Sequence, residues 1–463
     1  MRGTHYPKKL LIDKADITAP LIRENNKCVM CMRCIQICEK VQTVNIWDLL
    51  GTGSRATVDA SRNRRIQDTE CTYCGQCITH CPTAALRERD DTGIVFDAID
   101  DPNTVTVVQV APAVRAAWAE QFNLSPEFAT PKRMAAALRE LGFNYVFDTD
   151  FAADLTIMEE GSEFLERFTH KKDYRWPMFT SCCPGWVRFL KSQYPERTEE
   201  LSTAKSPQQM FGATVKTWYA QKMGWDPKDI FVVGIMPCTA KKFEVRRDNE
   251  DAAGSGIPDV DISLTTRELA RMIDRAGIDF TALPDEDFDS AMGESTGAGV
   301  IFGATGGVME AALRTAAEWV GGKPLQDVEF KEVRGTEGIK EASYQIGDLT
   351  VNVAVASSLA CARKLLEQVR AGMKNYHFIE IMGCPGGCVN GGGQPVQPAS
   401  VRNFVDLKSL RAKALYDADE AKPLRKSHEN PELLKIYEEY FGEFGSHLAH
   451  RILHTTYVER PHF

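Results

Sequence analysis

Five cysteines in the last two-thirds of the chain fall in three short motifs whose chemistry is metal binding. The motifs read TSCCPGW at residues 180–186, MPCTAKKFE at residues 236–244 and MGCPGGCVNGGG at residues 382–393. Thiols scattered this widely, in a chain whose N-terminus resembles no export signal, are better metal ligands than disulfide partners. One cysteine from the first motif, one from the second and two from the third would form a four-thiolate site for an iron–sulfur cluster.

A second group of eight cysteines lies near the N-terminus and repeats one spacing twice. Each run is C-x2-C-x2-C-x3-C, at residues 28–38 and 71–81. In this bacterial two-cluster ferredoxin pattern, three cysteines of each run hold one [4Fe–4S] cluster and the fourth ligates the other. The pattern therefore predicts a first cluster on Cys28, Cys31, Cys34 and Cys81, and a second on Cys71, Cys74, Cys77 and Cys38. Zinc sites are the alternative, but they seldom use two complete four-cysteine runs.

Composition and charge exclude several classes of partner. The 463 residues are 43% hydrophobic and 26% charged, with a net charge of −9. That charge argues against nucleic acid or an anionic membrane surface as the main partner. No apolar run is long enough to span a bilayer, and the stretch at residues 10–12 is too short for a signal-peptide core. We therefore expect a cytoplasmic, reduced protein, in which fourteen cysteines indicate metal.

The pattern of apolar residues predicts an α/β fold. Short β-rich runs alternate with helical stretches such as residues 131–141 and 265–276; the runs lie at residues 105–110, 230–235, 349–355 and 378–381. Such alternation indicates an α/β architecture, in which sites lie just outside the strand ends. The acidic stretch after Pro82 predicts a boundary between a cluster domain at residues 1–98 and a larger domain at residues 99–463.

The three C-terminal motifs resemble the cysteine signatures of the [FeFe]-hydrogenases, and the resemblance runs from about residue 100 to the end of the chain. It implies a ferredoxin-like domain with two [4Fe–4S] clusters, followed by an H-cluster domain of two α/β lobes with the active site between them. It also implies the compact form with two accessory clusters. The C-terminal stretch around residues 425–430 matches the family's ending, so we expect no separate small subunit to supply it.

The resemblance further implies a set of cofactor residues. The ligands of the [4Fe–4S] part of the H-cluster would be Cys183, Cys238, Cys384 and Cys388, and Cys388 would also bridge to a di-iron subcluster carrying CO, CN and an azadithiolate. The side chains at the family's pocket positions are Ala111, Pro112, Ala113, Pro207, Gln208, Met236, Lys241, Phe302 and Met382. Lys241 makes physical sense there, because a buried ammonium can donate to an iron-bound cyanide. Lys242 fits an ordinary surface lysine better.

Cys182 is the residue that the resemblance assigns to proton transfer. It adjoins a ligand, yet the four-thiolate count is complete without it, and a thiol exchanges protons once its pKa is shifted. A spare buried cysteine is the alternative, which describes Cys361 better. The matching proton route would use Arg167, Glu163, Ser202, Glu160 and Cys182, with water completing the chain. Without the resemblance, the helical spacing of the two glutamates and the arginine would indicate an ordinary surface salt-bridge ladder.

The function implied by the resemblance is reversible oxidation of H2 to protons and electrons. Electrons would pass through the accessory clusters to or from a ferredoxin- or flavodoxin-like carrier, and maturation proteins would insert the di-iron unit. Two alternatives stay open: an H2-sensing relative that regulates a partner, and a non-catalytic hydrogenase-like iron–sulfur assembly protein. Cys182, Lys241 and Met382 argue against the second. The sequence leaves open whether the protein is one subunit of a larger redox complex.

Two further features invite a binding function but have simpler explanations. The glycine-rich run at residues 297–307 fits neither a P-loop nor a Rossmann fingerprint, and we expect it to serve close packing at the cofactor pocket. Arg62, Arg64 and Arg65 lie in the insert between the two cysteine runs and could receive an acidic ferredoxin. We favour a solvated loop there.

Overall fold

The computed structural model describes residues 19–53, 56–125, 128, 130–325, 327–347 and 349–458. These residues contain twelve strands in four sheets. The strands are β1 (Leu21–Arg23), β2 (Trp47–Leu50), β3 (Thr57–Ala60), β4 (Leu86–Glu88), β5 (Val105–Val110), β6 (Tyr145–Asp148), β7 (Met178–Phe179), β8 (Ile230–Met236), β9 (Ile262–Thr265), β10 (Ile339–Ile346), β11 (Leu349–Ser357) and β12 (Phe378–Met382).

The same residues contain nineteen α-helices, and none of these is both long and apolar enough to cross a membrane. The helices are α1 (Arg33–Gln36), α2 (Gln76–Thr79), α3 (Thr92–Asp100), α4 (Pro112–Arg115), α5 (Trp118–Gln121), α6 (Pro131–Glu140), α7 (Thr149–Thr169), α8 (Pro184–Gln193), α9 (Pro207–Thr214), α10 (Ala220–Met223), α11 (Lys241–Glu244), α12 (Thr266–Ala276), α13 (Gly297–Val300), α14 (Gly307–Gly321), α15 (Leu359–Arg370), α16 (Ala399–Arg402), α17 (Leu407–Ala421), α18 (Pro431–Ile436) and α19 (His447–Leu453).

The N-terminal region has the ferredoxin-like arrangement that the cysteine spacing predicts. Strands β1 and β4 pair antiparallel, and the insert between the cysteine runs forms the antiparallel hairpin β2–β3. Each cysteine run passes through a residue of positive φ into a one-turn helix. These residues are Met32 (φ 62°) before α1 and Gly75 (φ 69°) before α2. The predicted boundary at residues 98 and 99 falls inside α3, so the division into two domains remains a prediction.

The first α/β lobe is built on a parallel sheet in the order β6-β5-β8-β9. Both faces of this sheet are buried: Val107 and Val232 pack on one side, Val108 and Val233 on the other. A strand buried on both faces has a largely apolar sequence without strict alternation, which is why β5 and β8 could be predicted from the sequence. The two predicted helices are confirmed as α6 and α12.

The second lobe has a mixed sheet in the order β10-β11-β12-β7. Strand β12 pairs parallel with β11 and β7, whereas β10 pairs antiparallel with β11 at the edge. The predicted runs at residues 349–355 and 378–381 are confirmed as β11 and β12. Strand β10 was not predicted, because its sequence IKEASYQI is polar and half-exposed along most of its length.

Helix starts place the chemistry-bearing residues at the lobe junction. Pro184 and Pro207 each occupy the first turn of a helix, where a missing N–H costs nothing, so α8 begins directly after Cys183 and α9 directly after Ser206. The Asp148 side chain caps the N-terminus of helix α7. The same helix carries Glu160, Glu163 and Arg167, the three helical residues of the predicted proton route. The protein therefore presents its motifs at the ends of buried strands and helices.

Candidate functional site

A mostly apolar cavity of about 80 Å³ lies between the two lobes. All nine predicted cofactor-pocket residues line it, together with Cys182 and the four predicted ligands Cys183, Cys238, Cys384 and Cys388. The nine are Ala111, Pro112, Ala113, Pro207, Gln208, Met236, Lys241, Phe302 and Met382. Segments separated by up to about 280 residues therefore converge on one site, with few polar groups among them.

The four cysteines of the proposed ligand set are close enough to influence one another. Burial raises the pKa of Cys388 to about 12, with the nearby Cys183 adding to the rise. Burial also raises the pKa of Cys384, and Cys238 is its largest charged contributor. Buried thiols gathered without enough cations to balance them are the donor set expected for a thiophilic metal, which takes them as thiolates.

Two glycines of the third motif are required by close approach. Gly387 has φ +94°, and a Cβ on it would lie 2.7 Å from the Thr305 nitrogen. A Cβ on Gly392 would lie 2.3 Å from the Cys74 carbonyl oxygen. Only glycine lets the loop that carries Cys384 and Cys388 pack this tightly against its neighbours.

Among the described residues that line the cavity, Lys241 carries the one ammonium group. Its Nζ donates to the Cys182 carbonyl oxygen at 3.2 Å and to Glu244 Oε2 at 2.7 Å. Glu244 is fully buried and also accepts from Ser206 Oγ at 2.8 Å and from Gln208 Nε2 at 3.1 Å. Burial lowers the pKa of Lys241, but the Glu244 carboxylate outweighs it, and the net direction is upward. Lys241 thus stays charged at the cavity wall.

The expectation that Lys242 is a surface lysine is wrong. It is 1% exposed, and its Nζ donates to Asp91 Oδ2 at 2.7 Å and to Glu268 Oε1 at 2.8 Å. Consecutive residues of an α-helix point in different directions, and Lys241 and Lys242 are neighbours on α11. Lys241 faces the cavity, and Lys242 faces the junction with the N-terminal region, where Glu268 also forms the capping box of α12 with Thr265. A lysine beside a site can be buried by a segment that is distant in the chain.

Cys182 lies at the cavity edge toward Glu160. Burial raises its pKa well above the usual value, the charge of Glu160 adds to this, and Lys241 opposes it. The thiol is therefore protonated when the site is at rest. Cys361, the predicted spare cysteine, is half-buried on α15 and lies away from the cavity.

The predicted proton-route residues form a buried group rather than a solvated ladder. Glu160, Glu163 and Arg167 are 2%, 6% and 4% exposed on α7, and Ser202 is fully buried. Arg167 Nη2 donates to Glu163 Oε1 at 2.5 Å, and Ser202 Oγ donates to Glu163 Oε2 at 2.8 Å. The Thr203 N–H also donates to both oxygens of Glu163, at 3.1 and 3.0 Å.

Glu160 links this group toward Cys182. Burial raises its pKa to about 8, the Glu163 charge adds to the rise, and the Ser202 hydroxyl and Arg167 oppose it. Its Oε2 makes no hydrogen bond to any residue that the structure describes. A buried carboxyl that exchanges its proton near neutral pH, with an oxygen left for water, has the properties of a relay.

The eight N-terminal cysteines line two separate cavities. Cys28, Cys31, Cys34 and Cys81 line one cavity, and Cys38, Cys71, Cys74 and Cys77 line another. The fourth cysteine of each run crosses to the other site. The first site lies near the surface, with Cys31 exposed, whereas Cys71 and Cys77 of the second are buried. Nearby, Arg62 and Arg65 are exposed, and Arg65 pairs with Asp68 at 3.0 Å.

The second cysteine site abuts the lobe cavity. Cys384 Sγ lies 3.9 Å from the Cys74 carbonyl oxygen. The contact is fixed by three hydrogen bonds: Thr239 Oγ1 to Tyr73 O at 2.6 Å, Gln76 Nε2 to Asn390 O at 2.9 Å and Gln42 Nε2 to Gly383 O at 2.9 Å. Three cysteine sites therefore follow one another from the surface to the cavity.

Sequence reasoning missed three residues that support the site. Glu244 orients Lys241, and the i, i+3 spacing within the second motif was the available signal. Glu380 is a fully buried carboxylate in β12 that accepts from the Gly306 and Met309 N–H groups, each at 2.7 Å; the signal was a charge inside the apolar run FIEIM. Tyr174 lies over Arg167, with its ring 5.4 Å away, and no sequence signal pointed to it.

This fold and these sites define an iron–sulfur oxidoreductase with a deeply buried active site. Three family models match the chain: "Iron only hydrogenase large subunit, C-terminal domain" at residues 104–392, "Iron hydrogenase small subunit" at residues 405–460, and "4Fe-4S dicluster domain" at residues 27–85. The segment matching the small subunit lies on the same chain, as expected.

Relatives and solved structures agree with these matches. The chain is 48% identical to NADP-reducing hydrogenase subunit HndD of Solidesulfovibrio fructosivorans, over 99% of this chain and 76% of that protein. It is 46% identical to iron hydrogenase 1 of Clostridium pasteurianum, over 94% and 75%. A solved structure of apo [FeFe]-hydrogenase HydA1 from Chlamydomonas reinhardtii is similar with a TM-score of 0.70 and 44% identity, over 80% of this chain and 98% of that one.

The chain belongs to the [FeFe]-hydrogenase family and is an enzyme of that family. Its cofactors are an H-cluster and accessory [4Fe–4S] clusters. The structure fits these groups, since five thiols (those of the four proposed ligands and of Cys182) and the Lys241 ammonium line the lobe cavity, and two further sets of four cysteines line the N-terminal sites. A more distant relative, cytosolic iron-sulfur assembly component 3 of Bos taurus, is 29% identical over 85% of this chain.

Proposed function

We propose that this hydrogenase catalyses the reversible oxidation of H2 to protons and electrons, and that it does so in the cytoplasm. The observation that carries the proposal is the buried polar chain that leads from Arg167 through Glu163 and Ser202 to Glu160 and Cys182, at the wall of the cofactor cavity. A cavity alone would be sufficient for binding the cofactor. Catalytic turnover of H2 also requires a path that carries protons to and from the cavity.

The cavity residues would hold and orient the H-cluster, which supplies the iron chemistry of H2 when it is bound. Cys183, Cys238, Cys384 and Cys388 are the proposed ligands of its [4Fe–4S] part, with Cys388 as the link to the di-iron part. Lys241, kept charged by Glu244, would donate a hydrogen bond to an anionic ligand of the di-iron unit. The apolar wall formed by Ala111, Pro112, Phe302 and other side chains excludes solvent.

Cys182 is proposed to hold the proton nearest the cofactor, on its Sγ. In H2 evolution it gives that proton inward and is reprotonated by Glu160, whose raised pKa keeps the carboxyl protonated near neutral pH. Ser202 and Glu163 connect Glu160 to Arg167, and water completes the chain. Arg167 lies under the half-exposed Tyr174, so this end of the route is close to solvent.

Electrons are proposed to travel by a separate route through the body of the protein. They would enter or leave at the surface site of Cys28, Cys31, Cys34 and Cys81, pass the second site, and cross the short contact between Cys74 and Cys384. The external partner would be a ferredoxin- or flavodoxin-like carrier. Maturation proteins would install the di-iron unit. Because the relative HndD is named a subunit, membership of a larger redox complex is part of the proposal.

The proposal is tested by H2 evolution from reduced methyl viologen, with anaerobically purified protein given the di-iron cofactor. Infrared bands of the bound CO and CN ligands report loading separately from turnover. Fast evolution supports the enzyme. Little evolution from loaded protein would favour the H2-sensing alternative, and protein that cannot be loaded would favour the assembly protein.

A further inference from the structure

Arg188 is a buried cation that neither the proton route nor the cofactor cavity uses. It lies on α8, the helix that begins directly after Cys183, and is 6% exposed. Its guanidinium carbon lies 4.4 Å from the ring centroid of Tyr73 and 4.6 Å from that of Phe243. Two aromatic rings from distant segments therefore hold the guanidinium in a fixed position.

The position is beside the second accessory site. Arg188 Nε donates to the Cys71 carbonyl oxygen at 2.5 Å, and Nη2 donates to the Tyr73 hydroxyl at 3.3 Å. The same helix comes close to this loop at Gly185, where an added Cβ would lie 3.4 Å from the Thr72 carbonyl oxygen. The positive charge thus directly contacts the backbone of a proposed cluster ligand.

Among the described residues, no carboxylate pairs with the positive charge of Arg188. Within the described ranges, no Asp or Glu oxygen lies within 4.0 Å of its guanidinium, whereas the buried Arg267, Arg314 and Arg411 each pair with a carboxylate. Its electrostatic neighbours are Tyr73 and Cys71, and burial lowers its pKa. A buried cation without a carboxylate is costly, and the missing negative charge fits an anionic group at the cysteines next to it.

We propose that Arg188 raises the reduction potential of the second accessory [4Fe–4S] cluster, the one assigned to Cys38, Cys71, Cys74 and Cys77. This inference rests on the proposed function, through that ligand assignment. One-electron reduction adds one negative charge to the cluster and transfers no proton. A fixed cation in a poorly screened interior therefore stabilises the reduced form over the oxidised form. Arg188 acts through its charge and takes no part in the chemistry of H2.

The test is an anaerobic redox titration of the full-length protein with its iron–sulfur clusters, followed by electron paramagnetic resonance. Arg188→Gln and Arg188→Lys form a matched pair, because both side chains can donate to the Cys71 carbonyl and only lysine keeps the charge. At a fixed ambient potential we expect Arg188→Gln to lower the ratio of reduced to oxidised second cluster about tenfold, or about 59 mV for a one-electron couple. Arg188→Lys should stay close to the unmodified protein, and the first cluster should not shift.

The outcomes of this titration distinguish a failure of the inference from a failure of the ligand assignment. An unchanged potential in Arg188→Gln would overturn the inference, and so would equal shifts in the glutamine and lysine variants, because geometry and not charge would then be responsible. If Arg188→Gln loses its clusters, Arg188→Met, whose unbranched side chain can remain between the rings, gives the neutral comparison. Protein of natural sequence without two reducible clusters would instead refute the ligand assignment itself.

Discussion

The proton side and the electron side of this protein use different physical devices around the same cavity. On the proton side, Glu163 accepts hydrogen bonds from Arg167 and Ser202, and the pKa of Glu160 is raised to about 8. On the electron side, the cysteine sites are joined by backbone contacts and by the stacked cation of Arg188. The first set includes a carboxyl, that of Glu160, whose pKa lies near the working pH, whereas the second set is fixed.

The difference follows from what is moved. A proton passes only between groups within hydrogen-bond reach whose pKa values are near the working pH, so the proton side needs titratable side chains at close spacing. An electron needs a short separation and a suitable potential, which rigid packing and fixed charge provide. Substitutions on the proton side should therefore lower turnover and leave cluster reduction intact, whereas substitutions on the electron side should shift the cluster potentials.

The largest expected effect is that of Cys182→Ala. Removing the thiol nearest the cofactor should lower H2 evolution by a factor of about 10² to 10⁴, the usual contribution of a positioned proton donor. Evolution from reduced methyl viologen measures it, while infrared bands and cluster spectra should be unchanged. Cys361→Ala is the matched control and should retain full activity. Equal activity in both variants would remove Cys182 from the route.

A smaller loss is expected for Glu163→Gln. The amide keeps the size of the carboxylate and can still accept from Ser202, but it cannot pass a proton on, so H2 evolution should fall by about 10²-fold. Reduction of the accessory clusters by dithionite should not change. A variant with its clusters intact and full turnover would contradict the proposed route.

On the alkaline side of the pH profile, the rate of H2 evolution should fall about tenfold per pH unit. Because the pKa of Glu160 is raised to about 8, its carboxyl keeps its proton below that pH and loses it above. H2 evolution, which uses the protonated form, should therefore decline above about pH 8. Protein-film voltammetry at constant driving force is the measurement, and a flat rate from pH 7 to 10 would oppose the assignment of Glu160. The cluster potentials should be independent of pH over this range.

The smallest effect on turnover is expected for Lys242→Met, which belongs to neither path. Asp91 and Glu268 would lose a buried cation, at a cost of about 3–5 kcal/mol in the free energy of unfolding. Chemical denaturation should show this loss, while H2 evolution with methyl viologen changes little. Lys228→Met, at an exposed lysine, is the control. Equal stability of the two variants would mean that the network contributes little.

Local spacing was sufficient to predict the cysteine sites and the buried strands. The exchange of Cys38 and Cys81 between the two N-terminal sites follows from a short repeated pattern, and β5 and β8 are largely apolar because both faces of their sheet are covered. Strand β10 was missed because an edge strand with alternating polar residues resembles a loop. Lys242 was misjudged because its burial depends on Asp91 from the N-terminal region, far away in the chain.

The sequence by itself determined the cluster ligands as candidates, the α/β class and, through its motifs, the resemblance to the [FeFe]-hydrogenases. The size of one small inorganic cluster determines the ligand spacing within each run, so a short segment of the sequence is sufficient to show it. Only the tertiary structure decided that Glu163 meets Ser202, that Glu244 holds Lys241, and that Arg188 lies between Tyr73 and Phe243. The burial of a side chain and the pairing of its charge depend on which distant segments pack together. They therefore cannot be predicted from a local sequence pattern.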